Sequence, residues 1–371
     1  MRTDLNPEGP PLPASIPGFQ EGIFFGMDEA VYHAIPALSA SGIRLLRISP
    51  LEFWMQSIMN PERDLIEEET DSFAKTLGSA YHSRICEGKA VFDSRFAPKI
   101  DPRDYKDVLE TADDLKSVIK SHNEIVGKDG KINVTGSKPE LIERVLTINP
   151  AAKIWDVICE SYYGEHKGKQ FLPWKYIRRI ETAAKMIEAD PQLGRAFTGG
   201  ASEVSVCWIC PTHRIPMKIR VDYLKAKSLV ELKSYSNPNG RQIDRAITSA
   251  FAGRRYHIAA ALYDEGVNMI ADLIKAGNVF GEHDPALIRA LEAGHEKTYL
   301  MVFQHSGFAP IVRGKILPKE SMFFQAGQTE VDAGKMLYRT CMEKFGPNVP
   351  WIDAAPIESF DDANIPSYGL E

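Results

Sequence analysis

The chain has 371 residues, 44% hydrophobic and 25% charged, with a formal net charge of −6. These are ordinary globular values that allow a sizeable core, and the acidic balance argues against a protein that coats nucleic acid over its whole surface. No run of about 18 apolar residues occurs, which excludes a membrane-spanning helix. Five cysteines without framework spacing suit a reducing compartment, so a cytoplasmic location is expected.

In chain order, residues 1–26 are proline-rich and lack the apolar core of a signal peptide, so they read as a disordered tail. A single domain is expected over 27–355, with a second tail at 356–371. Ser39 or Ser41 can cap a short helix that carries Ile43, Leu45, Leu46 and Ile48 at helical spacing, and Pro50 marks its break. PERDLIEEETD at 61–71 reads as an acidic loop. Phe73, Leu77, Ala80, Tyr81 and Ile85 make the apolar stripe of a further helix, which also carries His82. Residues from about 100 to 190 read as a mostly helical elaboration, in which GSKPELIERV resembles the SAP type of short DNA-binding helix pair.

A β core follows: EVSVCWIC from Glu203, then PMKIRVDYL, then LVELKSYS, three strands with short turns that predict an antiparallel meander. RQIDRAITSAFAGRRYHIAAALYDEG predicts one continuous helix, and 270–294 a helical insert. Strands TYLMVFQ and PIVRGKILP and a helix through 335–345 complete the pattern. It reads as α/β (or α+β), one mixed sheet flanked by helices.

With Lys225–Ser228 as the turn, simple register puts Asp222 opposite Glu231 and Arg220 opposite Lys233. Facing carboxylates repel, and acids within an apolar strand carry a desolvation cost that needs a reason. A divalent metal on oxygen ligands supplies one, with Lys233 beside it to handle a water or a phosphate. A solvated hairpin face is the plain alternative, set against the apolar Leu229, Val230 and Leu232 around the acids. Between His213 and Arg255 stand ten Lys/Arg and three acids, a local +7 that leaves −13 for the remainder. A positive island holding two acids suits a polyanionic substrate bound at one place.

Four blocks in this order resemble the RecE/RecB-type exonucleases of the PD-(D/E)XK superfamily, found in phages and prophages: YHAIPALSASGIRLLRISPLEFW, LGSAYHSRICEG, the strand set EVSVCW, KIRVDYL and LVELKSYS, and the helix ending RYHIAAALYDEG. The resemblance covers roughly residues 27–265. It implies that Asp222, Glu231 and Lys233 are catalytic. It also implies that Asp222, Glu231, the Leu232 carbonyl, His82 and Glu203 surround Mg²⁺ or Mn²⁺. DNA contacts are expected at Ser41, Arg220, Arg254, Arg255, Tyr256 and His257, with Glu87 left out as a surface charge. The implied activity is 5′-to-3′ digestion of double-stranded DNA ends in a bacterial host, leaving 3′ single-stranded tails for recombination. A single-strand annealing protein and a homo-oligomer are the implied partners.

One departure stands out. Relatives carry glutamine three residues after the position of Tyr256, where this chain has Ala259. The missing role could pass to His257 or Gln242, or the chain could be a weakened DNA-end-binding protein; an endonuclease or flap nuclease with the same site is the other competitor. Cys207 and Cys210 form a C-x-x-C within a strand and read as apolar fillers, since only Cys341 follows the core to support a cluster.

Overall fold

A computed structural model describes residues 17–63, 73–307 and 309–352. The chain divides into two compact units, one built from residues up to 63 and from 186 onward, the other from 73–185. The strands are β1 (Gly22–Phe24), β2 (Phe96–Lys99), β3 (Gln170–Pro173), β4 (Ala201–Ile209), β5 (Pro216–Leu224), β6 (Ser228–Tyr235), β7 (Val279–Phe280), β8 (Thr298–His305) and β9 (Val312–Ile316).

The first unit is a seven-stranded mixed sheet in the order β7-β1-β4-β5-β6-β8-β9. β4, β5 and β6 form the expected meander. β6 runs parallel to β8 from Ser228↔Thr298 to Tyr235↔His305, so the chain between them must cross over. Near-continuous burial along β4 and β5 marks strands covered on both faces.

The crossover is not one helix but two, Ile243–Gly253 and Tyr256–Asn268. Gly253 weakens the first, and Arg255 at φ +53 turns the chain. An ion pair from Arg255 to Glu330, 2.8 Å, fixes the turn. At Gly266 a Cβ would come within 2.5 Å of Ile219 and 2.8 Å of Trp208, so the second helix lies directly on the sheet. Gly266→Val should therefore cost about 1–3 kcal/mol of stability, read as a lower urea midpoint at unchanged slope. An unchanged midpoint would show that the sheet yields there.

Several local readings are settled or changed, and the helical insert expected at 270–294 also contains β7, which runs parallel to β1. Gly22–Phe24 lies inside the expected tail yet pairs with β4, because the apolar GIF triplet can bury Ile23. Ser39 caps the helix Ala40–Leu46 by accepting from Gly42 N–H, while the Ser41 hydroxyl lies 2.9 Å from that of Ser39. The C-terminal helix starts at Met322, capped by Ser321, and runs to Phe345. The expected tail at 356–371, most of the N-terminal tail and most of the acidic loop at 61–71 lie outside the described residues.

Buried cations in this unit have local reasons. Lys218 donates to the carbonyls of Tyr32, His33 and Ile35 at 2.9, 3.2 and 2.8 Å, closing the helix Glu29–Ala34. Lys335 of the long helix bonds Glu265. Cys207 and Cys210 are buried.

The second unit carries the helices Phe73–His82, Lys89–Arg95, Ala112–Ile125, Lys138–Ile148 and Trp155–Glu165, with β2 parallel to β3. The elaboration expected at about 100–190 falls largely within it. Leu115, Ile119, Leu141, Val145 and Ile154 form a core of its own. Thr111 with Asp114, and Ser137 with Glu140, make reciprocal capping boxes, so GSKPELIERV starts a helix for a local reason. Among the described residues no helix is long and apolar enough to cross a membrane.

Candidate active site

The β5–β6 ladder is short: Tyr223↔Val230 and Leu224↔Leu229, closed by Lys225 N–H donating to the Ser228 carbonyl at 2.8 Å. The same register carries Asp222 to Glu231, as the sequence predicts. There side chains replace the ladder. Asp222 N–H donates to Glu231 Oε1 at 3.2 Å, and Leu232 N–H donates to Asp222 Oδ2 at 2.7 Å. Past this point the strands no longer pair, so the expected opposition of Arg220 and Lys233 is not formed. Arg220 pairs with Ser205 on β4, and Lys233 with Phe303 on β8.

Glu231 is 0% exposed. Its Oε2 accepts from Lys233 Nζ at 2.6 Å, and the same ammonium lies 3.5 Å from Asp222 Oδ2. Burial, then the charge of Asp222, pushes the Glu231 carboxyl up to about 7 against the pull of Lys233. Burial on its own would lower the Lys233 ammonium. Asp222 and Glu231 outweigh it and hold the group well above the usual lysine range.

Glu203 sits on β4 at the register position facing Asp222, between the pairs Ser202↔Tyr223 and Val204↔Val221. Its φ is +52, the left-handed region, a conformation that costs a non-glycine residue about 1–3 kcal/mol. Carboxylate oxygens of Glu203 and Asp222 come within 4.8 Å of one another. Arg220 Nε donates to Glu203 Oε2 at 2.7 Å, and Nη1 to the Met27 carbonyl at 2.9 Å. Three adjacent strands thus present three carboxylates, with Arg220 and Lys233 as the compensating cations. The surplus negative charge and hard oxygen donors fit a small divalent cation. Leu232 spends its N–H on Asp222, and its carbonyl is the remaining candidate oxygen on β6.

Tyrosines enclose this cluster, and sequence reasoning missed two of them, Tyr299 and Tyr32; Tyr263 matches the helix of the family that the sequence resembles. Tyr299 on β8, 5% exposed, has a hydroxyl with no hydrogen-bond partner among the described residues. Burial first, and the charge of Glu231 second, holds that phenol well above its usual range. Tyr263 is shifted the same way by burial and Glu231. Tyr32 has Arg220 over its ring at 5.7 Å. TYLMVFQ reads as a plain strand, so nothing in its pattern marks Tyr299.

The remaining candidates are spread out. Tyr256 starts its helix with its ring 5.8 Å from Lys233 Nζ, and its hydroxyl accepts from Arg254 Nη1 at 3.1 Å. Arg254 is exposed and also donates to the Ser234 carbonyl at 3.3 Å. The Arg255 guanidinium is engaged by Glu330. His257 is half-buried beside Phe251, its Nδ1 without a partner among the described residues, and burial then Arg255 lower its pKa. Ala259 packs against the hydrophobic core, and Gln242 precedes the helix Ile243–Gly253. Ser41 is exposed in the first turn of its helix. His82 ends the helix Phe73–His82 in the other unit, half-buried, followed by a π-turn at Ser83–Glu87, where Glu87 pairs with Arg95. Its metal role stays an expectation of the resemblance.

No family model and no curated protein matches the chain. Among solved structures it is similar to that of a proposed exonuclease from Eubacterium rectale, with 13% identity, a TM-score of 0.44, and coverage of 84% of this chain and 82% of that one. A likeness that distant carries no argument about activity.

Proposed function

We propose that the chain is a metal-dependent nuclease of RecE/RecB type that digests double-stranded DNA from its 5′ ends and leaves 3′ single-stranded tails. One observation carries the reading: a fully buried Glu231 bonded to Lys233 and wedged against Asp222, with Glu203 facing Asp222 from a strained backbone. A fold keeps such a cluster at a stability cost, and functional sites are where such costs collect.

Asp222, Glu231, Glu203 and the Leu232 carbonyl would hold Mg²⁺ or Mn²⁺. What a bound cation supplies is a water of lowered pKa and neutralisation of charge at the scissile phosphate. Lys233 stays charged next to its two carboxylates, so its role is to orient the attacking water and to donate to phosphate oxygens as negative charge develops. Arg254 and Tyr256, the latter with its ring 5.8 Å from the lysine, hold phosphate beside it. Polarity, the annealing-protein partner, the homo-oligomer and the bacterial host rest on the sequence resemblance, and the cytoplasmic location on the cysteine usage.

The test compares linear with covalently closed duplex DNA, labelled at either end, in Mg²⁺ and in EDTA. Metal-dependent release from linear DNA, 5′ label first, is expected. Cleavage of the closed circle would make the chain an endonuclease. A second reading has its own observation: Ala259 puts an apolar group against the core where relatives carry an amide. On that reading the protein binds DNA ends and releases nothing.

A further inference from the structure

We infer that a groove along the helix Ile243–Gly253 is a second binding surface, a track for the phosphodiester backbone of a nucleic-acid strand running away from Lys233. This deepens the nuclease reading and rests on it. Two adjoining clefts, of about 710 and 300 Å³, share Arg241 and Ser249 in their walls. The larger reaches Arg245, and the smaller ends at Arg254. Arg254 in turn bonds the Ser234 carbonyl, one residue past the lysine.

The state of the charges marks the groove. Several cations of this unit are met by acids, Arg47 and Arg255 by Glu330, Arg220 by Glu203 and Lys319 by Asp264, and the buried Lys218 by carbonyls. Three arginines gathered along one groove are, among the described residues, met by no acid. Arg241 is held by neutral groups, its Nη1 donating to Ser249 Oγ at 3.1 Å while its main chain exchanges two bonds with Asn237. Among the described residues the Arg254 guanidinium bonds a carbonyl and a phenol. Arg245 is exposed and has no hydrogen bond or ion pair among the described residues. The single acid in the wall, Asp244, is neutralised by Lys315 at 2.7 Å, which also lowers its pKa.

Three guanidiniums, two of them held in place without losing charge, make a surface for phosphate. Among the described residues the groove walls carry no aromatic ring on which a base could stack, and alanines, a glycine and Pro238 make its apolar part. Such a lining reads backbone and not sequence.

Binding of a labelled single-stranded oligonucleotide and of a duplex is followed by fluorescence anisotropy in EDTA across a salt series, alongside metal-dependent digestion. The proteins are wild type, Arg241→Ala, Arg245→Glu, and Lys319→Ala as a control that removes one charge already met by an acid. Arg245→Glu alters an exposed side chain with no partner among the described residues, so its fold is safe, whereas Arg241→Ala removes the bond to Ser249 and keeps the main-chain bonds to Asn237. Each groove variant is expected to weaken binding several-fold and to reduce the slope of log K against log salt by about 0.7–0.9 per lost contact, with Lys319→Ala unchanged. If wild type digests DNA and Arg245→Glu keeps the full slope and affinity, the groove proposal falls alone. If wild type neither binds nor digests, the nuclease reading falls and takes the groove with it.

Discussion

Lys233→Met lowers metal-dependent nucleotide release from linear duplex DNA by at least about 10²–10³-fold, the usual loss when one preorganised donor to a developing oxyanion is removed. Methionine keeps an unbranched apolar stem of similar reach, so the change isolates the ammonium. Two effects are then separable. At the chemical step the water and the phosphate lose their positive donor. In the resting protein, Glu231 loses the partner at 2.6 Å and Asp222 the one at 3.5 Å, and removing one partner of a buried pair costs up to about 3–5 kcal/mol. A divalent cation replaces the missing charge, so added Mn²⁺ should raise the urea midpoint of the variant more than that of wild type. Release and unfolding are measured on the same preparations. A folded Lys233→Met protein that still releases nucleotides at the wild-type rate would remove the lysine from the mechanism.

How much of this was legible in the sequence differs from residue to residue. The facing of Asp222 and Glu231 follows from a two-residue alternation counted from a turn, and Lys225 N–H to the Ser228 carbonyl confirms the turn that pins the count. The loss of pairing beyond it was not legible, because it arises when two carboxylates take the N–H groups of the opposite strand, an outcome of side-chain reach and not of pattern. The left-handed backbone at Glu203 and at Arg255 belongs to the same class: both are non-glycine positions, where sequence gives no reason to expect φ near +50°. Arg255 shows the consequence, since a run with helical composition throughout became two helices. The order of sheet and helices was readable because apolar periodicity is a local signal, while β1 was hidden by the prolines before it and needed a partner strand far along the chain. Of the groove arginines, Arg254 was expected as a DNA contact from the resemblance, while Arg241 and Arg245 appeared only as part of a positive island. That no acid among the described residues meets their charges is a fact of tertiary contact.

Asp222→Asn is expected to leave the metal-free protein within about 1 kcal/mol of wild type and to abolish its stabilisation by Mn²⁺. An asparagine carbonyl can still accept the Leu232 N–H now bonded at 2.7 Å, so that N–H is not orphaned, and the new amide N–H groups face the carboxylates of Glu203 and Glu231. The lost attraction to Lys233, at 3.5 Å the weaker of that lysine's two contacts, is offset by removing the repulsion that helps push Glu231 up. Lys233 keeps Glu231 and is not left as an unpaired buried charge. Metal binding has no such compensation, because an anionic ligand between Glu203 and Glu231 becomes neutral. Wild type at a hundred-fold excess of Mn²⁺ over its dissociation constant should gain about 2.7 kcal/mol, and the variant nothing. Calorimetric unfolding in Mn²⁺ and in EDTA measures both, with the exposed Asp272→Asn as a control that keeps the gain. Should Asp222→Asn keep the full gain, the cation is held elsewhere, and the strain at Glu203 and the burial of Glu231 would need a different reason.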